Sequence, residues 1–139
     1  SNQSYYPYSK GGEYAKWAGN LWIYINWEEN NVEYIKVKGR LQNRNYYFRE
    51  GITYSGSGSK GTSFRIFPKD CLFDVGGSCI FLTDIYSNRY YLLAFLNSKI
   101  CFYIAECLNP TVNTQVGDLQ RVPFIIPSKG IEELVYALS

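Results

Sequence analysis

The chain has 139 residues, 46% hydrophobic and 18% aromatic, which suits one domain with a packed core and argues against disorder. Its formal charge of +2 at pH 7 is small but unevenly spread. Lys36, Lys38, Arg40, Arg44, Arg49, Lys60, Arg65 and Lys69 face one acid, Glu50, within residues 36–69, whereas the rest of the chain carries an acidic excess; no apolar run reaches the ~18 residues of a membrane span and no signal peptide is visible, so a cytoplasmic protein is expected.

In chain order, residues 1–14 (SNQSYYPYSKGG and its continuation) read as a flexible arm, with Ser1-Asn2 resembling a cloning remnant. The lack of methionine at position 1 fits a piece excised from a larger protein. Residues 21–27 (LWIYINW) mix aromatic and β-branched residues in near alternation, a strand signal, and residues 32–37 (VEYIKV) alternate as its hairpin partner would. A polar connection over 40–45 leads to a strand near 46–54, broken at Gly51, and to a Gly/Ser loop at 56–61. Residues 63–67 (SFRIF) alternate and stop at Pro68, and residues 71–75 and 79–83 read as short strands joined through Gly76-Gly77. The period then changes. Leu92, Leu96, Ile100, Tyr103, Ile104 and Cys107 recur at helical steps, predicting one long helix within 88–108, capped by Asp84, Ser87 or Asn88 and burying Leu92, Leu96, Ile100 and Ile104. A last strand at 122–126 precedes a short helix from Ser128 with Ile131, Leu134, Val135 and Leu138 on one face. This order predicts an α+β fold, a mainly antiparallel sheet packed against one long helix.

Catalytic and metal chemistry find little support. The four cysteines (71, 79, 101 and 107) form no C-x-x-C and there is no histidine, so neither a zinc site nor a Ser–His or Cys–His couple is expected. Reduced thiols are expected, although Cys71 and Cys79 bracket a turn and could pair. Gly56 to Gly61 matches G-x-G-x-x-G, but a strand follows it where a dinucleotide site requires a helix. Asn109-Pro110-Thr111 lacks the second proline and the aromatic residue that an adenine methyltransferase uses to hold a flipped base. No methyl-donor motif is present either. The expectation is no catalytic residue, no metal and no cofactor in this chain.

Three ordered stretches carry a resemblance: KWAGNLWIYINWEENNVEYIK, YFREGITYSGSGSKGTSFRIFPKDCLFDVGGSCIF, and LNPTVNTQVGDLQRVPF behind YYLLAFLNSKICFYIAEC. Over roughly residues 15–124 the chain resembles the C-terminal part of the phage-exclusion (BREX) adenine-specific DNA methyltransferases and of related fused restriction–methylation enzymes. The resemblance implies a target-recognition role: the region reads DNA sequence, and the parent enzyme's catalytic domain binds S-adenosylmethionine. It implies a domain over 15–127 followed by a short C-terminal helix over 128–139 leading to missing sequence. The implied partners are double-stranded DNA and that catalytic domain, with no membrane.

Within that frame the expected DNA contacts are Arg44, Arg49, Tyr54, Ser55, Ser57, Lys60, Ser63 and Arg65. Arginine takes guanine bidentately, while lysine and serine suit phosphate. Alternation puts Arg65 on one face with Ser63 and Phe67, and that face is expected to meet DNA. Trp17 is expected in the core, and Asn113, Gln115 and Asp118 are expected to brace the turn after the helix. Two other classes remain open: a protein-interaction module of the same defence complex, and a carbohydrate-binding β-domain suggested by 14 tyrosines.

Overall fold

A computed structural model describes residues 4–38, 41–56, 60–83, 88–111 and 113–137. Among them the chain forms strands β1 (Tyr5–Ser9), β2 (Tyr24–Asn26), β3 (Gly51–Ser55), β4 (Ser63–Phe67), β5 (Leu72–Phe73) and β6 (Cys79–Ile80). The helices are α1 (Glu29–Val37), α2 (Arg89–Leu96), α3 (Lys99–Leu108), α4 (Val116–Arg121) and α5 (Lys129–Ala137). The fold is α+β, as expected, but the strands divide between two small sheets. One has the order β4-β3-β6 and is antiparallel throughout; the other has the order β2-β1-β5, with β1 antiparallel to β2 and parallel to β5.

The two faces of β3 and β4 explain the layering. Ile52, Tyr54 and Phe64 point one way, into a core completed by Leu93, Leu96, Cys101 and Val122 from the helical side. On the other side Phe67 joins Cys71 and Phe73, with Leu21, Tyr47 and Phe81 packed around them. Phe67 and Phe81 meet Phe73 at ring distances of 5.8 and 5.5 Å, and Ser9 Oγ lies 3.0 Å from Thr53 Oγ1, so the second sheet closes over the first. A sheet covered on both faces explains why every residue of β3 is buried.

Several expectations are corrected. Residues 5–9 are not an arm: they form the central strand of a sheet, and Ser9 is fully buried. Residues 32–37, expected as a hairpin strand, belong to helix α1. Glu29 in the first turn and Lys36 in the last suit the helix dipole, and Lys36 pairs with Glu33 one turn back. The single long helix is two helices bent by 62° at Asn97-Ser98, where Ser98 caps α3 by accepting from the Cys101 amide. That bend turns Ile100 out to 69% exposure while Leu96 stays buried and Leu92 and Ile104 are partly covered. Residues 122–126 are not a strand. Asn88 caps α2 as expected, whereas Asp84, Ser87 and Leu138 fall outside the described residues. No single helix among the described residues is long and apolar enough to cross a membrane.

The cysteines are free thiols, and burial separates them. It lifts Cys71 and Cys101 from the usual thiol value of 9.0 to about 11 and Cys79 to about 12. A raised folded-state value makes this contribution to stability complete below pH 9 and lost as pH rises toward 11–12. At pH 8, Cys107, which is exposed, should therefore be the fast-reacting thiol in the folded chain. A timed titration with a chromogenic disulfide should show one rapid equivalent, absent in Cys107→Ser, and three that appear on unfolding. Rapid reaction of all four would show that the core opens readily.

Candidate nucleic-acid interface

The loop between α1 and β3 is held by its aromatic residues. Arg44–Tyr46 form a 3₁₀ turn entered through Asn43 in the left-handed region (φ 56°), and Phe48 is left-handed as well (φ 59°). Non-glycine residues adopt that region at a cost, so neighbouring contacts have to hold them there. Phe48 donates its amide to the Cys71 carbonyl and sets its ring 5.0 Å from Tyr6 and 6.1 Å from Trp27. Tyr47 presses edge-on against Phe73 at 5.3 Å and Trp27 at 5.6 Å, and burial raises its hydroxyl pKa. The anchored loop leaves Gln42, Asn43 and Arg44 exposed.

With the end of β1 and the segment 73–81, this loop walls an open groove of about 1090 Å³. Lys10, Lys38, Gln42, Asn43 and Tyr46 line one part, and Phe73, Asp74 and Phe81 another. Its acid is already engaged. Asp74 accepts from the Gly76 and Gly77 amides at 2.8 and 3.2 Å, and burial, reinforced by the nearby Asp74 carboxylate, pushes the Tyr8 phenol's pKa up. The ion pairs among the described residues are Lys36–Glu33 and Arg89–Glu50. Lys10, Lys38, Arg44 and Arg49 thus stand at or beside the groove with no acid paired to them, among the described residues. Such a surface attracts a polyanion.

The structure separates the sequence-predicted contacts. Arg44 is exposed in the loop that walls the groove and Arg49 is exposed over the groove-lining rings of Tyr46 and Phe81, whereas Lys60 is exposed in the loop at the opposite end of the β3–β4 hairpin. Tyr54, Ser55, Ser63 and Arg65 are buried, the last completely, which corrects the expectation that the Arg65 face is open. Its guanidinium donates to Ser55 Oγ at 2.9 Å, Ser63 Oγ at 3.1 Å and the carbonyls of Ala15 and Ser63 at 3.1 and 3.4 Å. Nε has no partner, and burial lowers the guanidinium pKa. Arg65 braces two strands and the 15–17 segment from inside. Ser57 lies outside the described residues, as does Arg40. Trp17, expected in the core, is 53% exposed; it contributes its backbone instead, bonding Phe64 and Ile66.

Sequence reasoning missed Lys10, Gln42, Asn43 and Tyr46. For Gln42 and Asn43 the available signal was the carboxamide pair beside Arg44, inside residues 40–45, which read only as a polar connection. A second, smaller cleft of about 140 Å³ lies between Lys16, Phe64, Asn97, Phe102 and Asp118. Lys16, Asn97 and Asp118 are committed to structure there. Asp118 accepts from Asn109 Nδ2 at 2.7 Å and from the Gln115 amide at 2.9 Å, which holds its carboxyl below the usual range and caps α4. Among the described residues no cluster of cysteines and carboxylates is arranged to hold a metal ion.

The chain is 39% identical over 134 residues, 96% of its length, to the adenine-specific methyltransferase BrxX of Escherichia coli O9:H4 (strain HS). It is 36% identical over 132 residues, 88% of its length, to the adenine-specific methyltransferase PglX of Lacticaseibacillus casei (strain Zhang). The chain matches a fragment of such enzymes. It spans 11% of the length of each. No protein-family model matches it.

Proposed function

We propose that this chain is a DNA target-recognition domain of an adenine-specific methyltransferase engaged in phage defence, and that it is not catalytic by itself. The observation that carries this reading is the groove lined by Lys10 and Lys38 and by exposed carboxamides at Gln42 and Asn43, with Arg44 and Arg49 exposed on the loop that walls it, in a chain similar to a fragment of BrxX and PglX. Cations suit phosphates, which position the protein, and carboxamides and arginines suit base edges, which specify sequence. Lys60, at the other end of the hairpin, would add a phosphate contact beyond the groove. Methyl transfer, S-adenosylmethionine and the second grip on the duplex belong to the catalytic part of the parent enzyme. The free thiols fit a reduced, cytoplasmic setting.

The test is binding of duplex DNA to this chain as a function of salt, followed by fluorescence anisotropy. Three or four phosphate contacts should give log K against log salt a slope of roughly −2.7 to −3.6, at ~0.9 per phosphate. Affinity for the duplex should be weak, because the parent's catalytic domain is absent. Binding that ignores salt, or no binding at all, would favour the protein-interaction reading.

A further inference from the structure

Resting on the DNA-recognition reading, we infer that Arg49 is a specificity-determining residue that reads a guanine in the major groove. Its guanidinium carbon lies 5.3 Å from the centre of the Tyr46 ring and 6.0 Å from that of Phe81. Those two rings stack on each other at 4.9 Å with planes 29° apart, and both line the groove. An arginine resting on an aromatic face is held by cation–π attraction while the in-plane donors of its fork stay free.

Two other arginines show what a committed fork looks like. Arg65 spends its donors on Ser55, Ser63 and Ala15 inside the protein, and Arg89 is paired with Glu50. That second pairing also engages the one acid next to Arg49 in sequence, leaving Arg49 exposed with aromatic contacts and no acid among the described residues. The platform is fixed in turn, because Tyr47 and Phe48 wedge the same loop against Trp27, Phe73 and Tyr6. A side chain ordered before binding loses less rotamer freedom on contact. Guanine offers two adjacent acceptors, O6 and N7, that match two parallel N–H donors; adenine pairs an acceptor with a donor and does not. Lys10 and Lys38, with flexible point charges, suit the flanking phosphates instead.

The experiment selects duplexes from a randomised pool with the wild-type chain, Arg49→Lys and Arg49→Ala, and reads the base preference at every position. Wild type should enrich guanine at one position. Both variants should lose roughly ten- to hundredfold of that preference, the lysine variant doing so although it keeps the charge. Replacing that guanine by 7-deazaguanine should impose a comparable loss on wild type, since it removes N7. Retention of the guanine preference by both variants, with a salt slope lower by about one unit in Arg49→Ala, would mark a phosphate contact and overturn the inference. Salt-sensitive binding with no base preference would overturn it while leaving DNA binding intact. No DNA binding by the wild-type chain would overturn the reading beneath it as well. Thermal melting of both variants keeps folding separate from recognition.

Discussion

Replacing Arg65 by alanine is expected to destabilise the chain by about 2–4 kcal/mol, the range for emptying a buried site and orphaning its acceptors. The side chain is fully buried between β3, β4 and the 15–17 segment, where it bonds two serine hydroxyls and two carbonyls. Two effects oppose each other. Removing an unpaired buried cation relieves a desolvation cost, seen in the lowered guanidinium pKa and in an Nε without a partner. Losing its volume and its four acceptors costs more, because the Ala15 carbonyl would be left without that donor. Arg65→Met tests the balance: it fills most of the volume, removes the charge and leaves hydroxyls free to rotate. Urea unfolding should rank wild type above Arg65→Met and that above Arg65→Ala. An alanine variant with the wild-type midpoint would show that the arginine braces nothing.

Asn97→Ala should be comparably severe, at about 2–4 kcal/mol, because one carboxamide serves both polar groups of a buried strand residue. Asn97 Oδ1 accepts from the Phe64 amide at 3.2 Å and Nδ2 donates to the Phe64 carbonyl at 2.9 Å. Alanine leaves the Phe64 amide without its partner beside buried Leu96, and leaves the Phe64 carbonyl with the Trp17 amide, at 2.9 Å, as its remaining donor. Asn97 also sits at the bend between α2 and α3, and its own carbonyl accepts from Lys16 Nζ at 2.8 Å. The loss should therefore appear as a lower melting temperature together with faster amide exchange at Phe64. An unchanged exchange rate there would mean that the strand is held by its neighbours alone.

What the sequence disclosed depended on whether one pattern had one meaning. Ser63 to Phe67 alternates and meets a proline, and β4 has those bounds. Alternation also put Ser63, Arg65 and Phe67 on one face correctly, since all three lie on the side of the second sheet. It could not report that both faces are covered, and burial on both faces is what removes Arg65 from the surface. Residues 32–37 alternate, yet their charges are spaced for a helix, and over six residues the periods overlap. The α2–α3 break was hidden because the three- and four-residue spacing runs through it; Ser98, a good helix cap in mid-run, was the overlooked sign. The groove was legible only as charge. Its walls come from β1, the 41–49 loop and the segment 73–81, and no local pattern announces that those three meet.

The parallel pairing of Tyr8 with Leu72 and Ser9 with Phe73 has a consequence during synthesis. At ribosomal rates of ~5–20 residues per second, roughly 3 to 13 s separate the emergence of β1 from that of its partner. Until then Tyr6 and Tyr8 lack the segment that completes their sheet, and Trp27 lacks Tyr47 and Phe48 for part of that interval. A nascent chain in this state presents an aromatic strand with one edge unpaired, the kind of segment chaperones hold and that associates with its own copies. Overproduction at high translation rates should thus reward slower growth temperatures more than it rewards solubilising tags placed after residue 139.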